Sequence, residues 1–263
     1  MRILVSNDDG IHAPGLWALA KALRDLGDLL VVAPDREQSG VGCGITLHNP
    51  IRAREVTPEV PGVPTYAVEG TPADSVILGL ESLAGGPVDL VVAGINAGSN
   101  CGHDVFFSGT VGAALQGHFR GLPAIAVSVT ALKDVEYGVA SALARVLAGH
   151  VLEGLLPRDV LLNVNVPNKP LRQLKGIALT RMGRRSYLDI VKEGHDGKRK
   201  YYWLERGKMD NSVQEGTDVW AVRHDYVSVT PVFPDMTPLG GILAAEGLDD
   251  RLFQELSAAL PTS

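Results

Sequence analysis

Met1-Arg-Ile-Leu-Val-Ser-Asn-Asp-Asp-Gly10 decides the fold. Ile3 to Val5 is a short apolar run, which reads as a buried strand. It gives way to Asn7, the adjacent carboxylates Asp8 and Asp9, and Gly10. Open α/β sheets hold their ligands at the carboxyl ends of the strands, and the acidic pair falls at such an end. Two neighbouring carboxylates repel each other unless a proton or a cation compensates them. A hard ion such as Mg²⁺ or Mn²⁺, which prefers oxygen ligands, is the natural compensator.

Working outward, strand and helix signals alternate. Arg2–Asn7 is followed by helical spacing over Ala13–Leu26, with Pro14 suited to the first turn. Leu29–Ala33 reads as a second buried strand, and a Gly-rich loop runs from Asp35 to Asn49. Ile51–Val56 and Thr65–Val68 read as shorter, partly exposed strands. Thr71-Pro-Ala-Asp74 is a helix start, with Thr as cap, Pro in the first position and Asp in the first turn. That helix is expected to reach Ala84. Asp89–Ile95, Ala124–Val129 and Val160–Val166 read as strands, and Thr110–Phe119 and Tyr137–Leu152 as helices. Strands separated by helices imply crossover connections and a mostly parallel sheet covered on both faces. The expected class is therefore α/β, with a three-layer αβα core.

The pattern changes after Gly176. Arg181–Val191 and Lys198–Glu205 flank Asp196-Gly197, a hairpin turn signal. An isolated hairpin is marginally stable, so this one should lean on something, such as another subunit. Thr217-Asp218 can cap a short helix, Tyr226–Val232 reads as a strand, and Leu248–Leu260 as a terminal helix. We expect a catalytic core over residues 1–180 and, over 181–263, an extension of hairpin, closing strand and C-terminal helix.

A chain of 263 residues with 45% hydrophobic residues can bury a substantial core. The net charge of −6 argues against a general binder of nucleic-acid backbones. Two cysteines, Cys43 and Cys101, give neither a disulfide framework nor zinc spacing, and read as reduced thiols of a cytoplasmic protein. No signal peptide and no membrane-spanning stretch are visible.

Four segments carry polar groups at strand ends: Asn7–Asp9, Asp35–Ser39, Asn96–Asn100 and Ser108–Thr110. Parallel right-handed topology would gather all four at one edge. A lone Asp after a strand is most simply a helix cap, but two in succession favour a metal site. Locally, Ser39 is as compatible with a flexible surface loop as with an oxygen shell, and Asn96 as compatible with a turn as with a neutral ligand. Ser108-Gly-Thr110 opens a helix whose small residues leave its first amides open to phosphate, although an ordinary Ser cap is the plain alternative. Asn7 and Gly40 border these segments and are counted with the phosphate-binding set. Neither a Walker A sequence nor G-x-G-x-x-G after the first strand is present, which argues against NTP-driven and nicotinamide chemistry. His12 and His103 could serve as ligands or acids, but no His pair has metal spacing and each reads as structural, with Asp104 near His103 to orient it or to bind solvent. Arg184, Arg185, Lys198, Arg199 and Lys200 read as a solvated hairpin surface, or secondarily as a basic lid.

These segments together resemble the SurE family of stationary-phase survival proteins, metal-dependent nucleoside monophosphate phosphatases. The likeness rests on Ile3-Leu-Val-Ser-Asn-Asp-Asp-Gly-Ile-His-Ala-Pro-Gly15, Ala33-Pro-Asp-Arg-Glu-Gln-Ser-Gly40, Gly94-Ile-Asn-Ala-Gly98, Ser108-Gly-Thr-Val-Gly-Ala-Ala114 and Tyr226-Val-Ser-Val-Thr-Pro231. It implies a Rossmann-like core and one divalent cation per subunit, Mg²⁺ or Mn²⁺, held by Asp8, Asp9, Ser39 and Asn96. It also implies release of phosphate from nucleoside 5′- and 3′-monophosphates and from short polyphosphate. A homodimer or dimer of dimers, built by exchange of hairpin and C-terminal segment, is implied as well. Cys43-Gly44 and Gln116 depart from the family pattern and bear on loop contacts and nucleotide preference.

The residues alone suggest in-line attack by water with Asp8 or Asp9 as base, or an aspartyl-phosphate route through Asp8. Two other classes compete: a receiver-like signalling domain, which also places paired carboxylates after its first strand, and a nucleotide sensor that binds without turnover.

Overall fold

The computed structural model describes residues 1–184, 187–209, 213–236 and 248–259. Arg185 and Leu260, which the sequence reading includes, lie outside them. The chain divides into two compact units, Met1–Val232 and Phe233–Ser263.

In the first unit, β1 (Arg2–Ser6), β2 (Asp28–Pro34), β4 (Thr65–Val68), β5 (Leu90–Ala97), β6 (Ala124–Val129) and β7 (Leu161–Val166) are parallel. With β3 (Ala53–Glu55), β8 (Gly176–Leu179) and β11 (Tyr226–Pro231) they form one sheet of order β3-β4-β2-β1-β5-β6-β7-β11-β8. Only the β3–β4 and β7–β11 pairs are antiparallel.

Both sheet faces are apolar because alternate residues point to opposite sides. Ile3, Val5, Leu29 and Val31 face one core, which holds the buried side of α1 (Pro14–Leu23) and α4 (Gly138–Leu152). Leu4, Leu30 and Val32 face the other, with α2 (Pro72–Leu78) and α3 (Gly109–His118). This double burial is why the parallel strands read as unbroken apolar runs rather than as alternation. The strand order reverses between β1 and β5, so a crevice opens at the carboxyl ends of those two strands.

Thr71 caps α2 in a full capping box with Asp74. The α-helix ends at Leu78, earlier than the expected Ala84, and continues as one wider π turn over Gly79–Leu83. β4 is more buried than expected, since it lies between β2 and β3 instead of at an edge. The hairpin, β9 (Tyr187–His195) and β10 (Lys200–Met209), pairs antiparallel about the Asp196–Arg199 turn. Its first strand begins later than expected. Arg181 is taken up elsewhere: its N–H donates to Gly216 and its carbonyl accepts from Asp218 at the start of α5 (Asp218–Arg223).

β8 has no counterpart in the sequence reading, and β11 is an interior strand between β7 and β8. The first compact unit runs to Val232. In the second unit α6 (Leu248–Ala259) is helical, as expected. Among the described residues no helix is long and apolar enough to cross a membrane.

Candidate active site at the switch point

The acidic pair is the hub of the crevice. Asp8 and Asp9 follow β1 and are tied to each of the other three segments. The Gln38 N–H donates to the Asp8 carbonyl at 2.8 Å, which fixes the loop after β2. Asp9 Oδ2 accepts from the Ala97 N–H at 3.2 Å, which fixes the end of β5. The Thr110 hydroxyl donates to Asp8 Oδ1 from the first turn of α3. A Cβ on Gly109 would sit 2.7 Å from the Asp8 Cβ, so only glycine lets α3 approach this closely.

A cleft of about 830 Å³ lies over the pair. Asp8, Asp9, Ser39, Gly40, Asn96 and Ser108 all line it, so each of the four segments contributes a residue. Asn7, Gly109 and Thr110 do not line it. Asn7 is fully buried, donates to the Gly10 carbonyl at 3.0 Å, and leaves its Oδ1 without a partner among the described residues. Ser39 sits on the exposed rim and donates to Glu37 at 2.9 Å. Asn96 is buried and donates through Nδ2 to the Gly98 carbonyl at 2.6 Å, which leaves its Oδ1 as a neutral donor atom. Ser108 accepts from the Val111 N–H and so caps α3.

The electrostatics are unbalanced. Burial, then the charge of Asp9, push Asp8 up from 3.8 to about 6, against the opposing pull of Thr110. Asp9 is also raised, chiefly by burial and then by Glu37. Tyr137 lines the same cleft and is raised by burial and by Asp9. Among the described residues, no three His, Cys, Asp or Glu side chains are grouped to hold a metal. The donor set here is different: two carboxylates, an amide oxygen and a hydroxyl, all hard oxygens beside an uncompensated negative charge. That chemistry fits a magnesium-like ion and does not suit a soft one.

Sequence reasoning gave no part in the site to Tyr137, Asp74 or Asp218, and it named Asn100 only as the end of the Asn96–Asn100 segment. Asn100 lines the cleft and is held by Asn163, Asn165 and Ser128. A signal was available, because Leu161-Leu-Asn-Val-Asn-Val166 sets two amides two residues apart, on one face of a buried strand. Asp74, beyond its capping role, accepts from both the N–H and the hydroxyl of Thr46, at 2.9 and 2.7 Å, and so anchors the Gly-rich loop.

Fold and site define a doubly wound α/β protein with an oxygen-lined acidic cleft at its switch point. Known proteins similar to it agree with that class. The chain belongs to the SurE family: the model described as survival protein SurE matches residues 3–189. The 5′-nucleotidase SurE of Dehalococcoides mccartyi strain CBDB1 is 43% identical over 265 residues, covering 96% of this chain and all of that protein. The protein of the same name from Geobacter metallireducens is 48% identical over 239 residues, covering 90% and 93% of the two chains. The crystal structure of the SurE protein from Aquifex aeolicus superposes with a TM-score of 0.80 at 38% identity, covering 95% of this chain and all of that one.

Proposed function

We infer that the chain is a 5′-nucleotidase, a phosphomonoesterase that hydrolyses nucleoside 5′-monophosphates to nucleoside and phosphate. The observation that carries the reading is the convergence of three separate segments on Asp8 and Asp9 in one cleft, in a chain whose relatives bear that name. Nucleoside 3′-monophosphates and short polyphosphate present the same terminal phosphoryl group and fall within the reading.

Asp8, Asp9, Ser39 and Asn96 are the residues that would hold one divalent ion, Mg²⁺ or Mn²⁺. When bound, that ion supplies Lewis-acid polarisation of a phosphoryl oxygen. Ser108 and Gly40 face the cleft and contact the phosphoryl group, with the positive end of α3 behind them. Gly109 and Thr110 act from behind Asp8, and Asn7 from the buried end of β1, by fixing where the carboxylates stand. Asp9 is less buried than Asp8, which is pinned by Thr110, and it takes the proton of the attacking water.

The reading includes a homodimer or dimer of dimers formed through the hairpin and C-terminal segment. Exposed Val191, Trp203 and Leu204 on the hairpin and Leu252, Phe253 and Leu256 on α6 support it. Free Cys43 and Cys101 accord with a cytoplasmic location.

The test is phosphate release from AMP and GMP with Mn²⁺ or Mg²⁺, with and without chelator. Metal-dependent turnover that chelator abolishes is expected. Tight nucleotide binding with no phosphate released would replace the enzyme with a sensor.

A further inference from the structure

The segment from Gly98 to Ser108 forms one wall of the cleft, through Asn100, Asp104 and Ser108. Two of its attachments come from distant side chains. From the sheet below, the Asn100 N–H donates to Asn165 Oδ1 at 2.8 Å, and the Asn100 carbonyl accepts from Asn163 Nδ2 at 2.7 Å. From α5, Asp218 Oδ2 accepts from the Gly102 N–H at 2.7 Å. Its other oxygen accepts from the Gly183 N–H and from its neighbour Val219, each at 2.8 Å. Asp218 is fully buried.

The second attachment joins two distant pieces of chain. Gly183 and Arg184 lead into the hairpin. Gly102, at φ +56°, lies so close to them that a Cβ would fall 2.2 Å from the Arg184 carbonyl oxygen. Leu204 of β10 also lines the cleft, so the hairpin reaches the site through that side chain as well. Capping α5 does not require this carboxylate, because the Thr217 hydroxyl already accepts from the Trp220 N–H. Burying an acid is costly, and here three charge-assisted bonds to backbone amides offset that cost.

We propose that Asp218 is a positioning residue for the cleft: one carboxylate locks the wall carrying Asn100, Asp104 and Ser108 to the root of the hairpin, so that displacement of the hairpin is transmitted to the site. The proposal rests on the hydrolytic reading of that cleft.

Three variants of the full chain test it, with AMP hydrolysis in Mn²⁺ and amide hydrogen exchange as readouts. Asp218→Asn keeps the shape but turns one acceptor into a donor. It should speed exchange at Gly102 and Gly183 about tenfold, the equivalent of losing one such bond, and lower kcat about tenfold with KM within about twofold. Thr217→Ala weakens the same helix but spares the carboxylate, and should leave kcat and the Gly102 exchange unchanged. Gly183→Ala acts from the hairpin side, where a Cβ would sit 3.1 Å from Asp218 Oδ1. It should lower kcat in the same direction by a smaller factor, and it keeps the test open if Asp218→Asn does not fold. Unchanged kcat in either joint variant, or equal losses in Thr217→Ala and Asp218→Asn, would overturn the coupling while leaving the nucleotidase reading intact. A wild-type protein that releases no phosphate from AMP would overturn the reading and this proposal with it.

Discussion

Asp8 at the floor of the cleft and Asp218 at the joint behind its wall are both buried, and burial pushes both up. Their surroundings differ. Asp218 has its oxygens filled by three backbone N–H groups. Asp8 is met by the Thr110 hydroxyl and by backbone N–H groups of Thr110 and its own residue, but it has an acid beside it in sequence whose charge raises it further. One carboxylate is satisfied by the fold, and the other is left short of positive charge. A saturated buried acid is a fastening. A buried acid that faces a cleft beside a second acid is a place where a ligand completes the electrostatics.

The sharpest way to break this contrast is by activity. Asp8→Ala should lower turnover by at least about 10³-fold, equivalent to about 4 kcal/mol of transition-state stabilisation. Steady-state AMP hydrolysis measures it, and a loss no greater than that of Asp218→Asn would erase the distinction. Stability should run the other way. Asp218→Ala strands buried amides at Gly102 and Gly183, and should destabilise the fold by about 3 kcal/mol in denaturant titration. A loss under about 1 kcal/mol would mean that water fills the joint.

Asp8→Asn should stabilise the metal-free protein at neutral pH. The sign follows from linkage. The folded state holds the Asp8 proton up to about pH 6, whereas the unfolded chain releases it near 3.8. Native protein therefore binds more protons between those values, and stability falls as pH rises through that window. The full span corresponds to roughly 3 kcal/mol, which Asp8→Asn removes. Thermal melts of chelated protein at acid and neutral pH check this. Added Mn²⁺ should then raise the midpoint of the wild type and not that of the variant.

Much of the cleft was legible in the sequence because its parts sit at the ends of strongly patterned strands. Ile3–Val5 and Leu90–Ile95 announce themselves as buried runs, and the polar residues that break them fall where parallel topology must put a ligand. The joint was not legible. Asp218 follows Thr217 at a helix start and looks like an ordinary first-turn acid; its partners Gly102 and Gly183 lie 116 and 35 residues away and contribute only backbone N–H groups. β8 escaped for a related reason. Gly176-Ile-Ala-Leu179 is a short edge strand with Ile177 and Leu179 exposed, so it carries no alternation, and its pairing with β11 is set by a partner some fifty residues on. Local pattern reports which face is buried; it does not report which backbone amide a distant carboxylate will find.

The smallest effect separates the two acids most finely. Thr110→Val preserves shape and removes the hydroxyl that donates to Asp8. That bond matters most when Asp8 is ionised, so its loss should cost about 1–2 kcal/mol at pH 8 and much less at pH 4, where the carboxyl is protonated in the folded state. Thr217→Ala makes the matched comparison beside Asp218. It removes a cap that accepts from the Trp220 N–H, a neutral bond, so a loss of about 1 kcal/mol should be nearly independent of pH. Urea titrations of both variants at the two pH values give four numbers. If the Thr110 penalty does not grow with pH, Asp8 is not the uncompensated charge that makes this cleft a cation site, and the asymmetry between floor and joint has another origin.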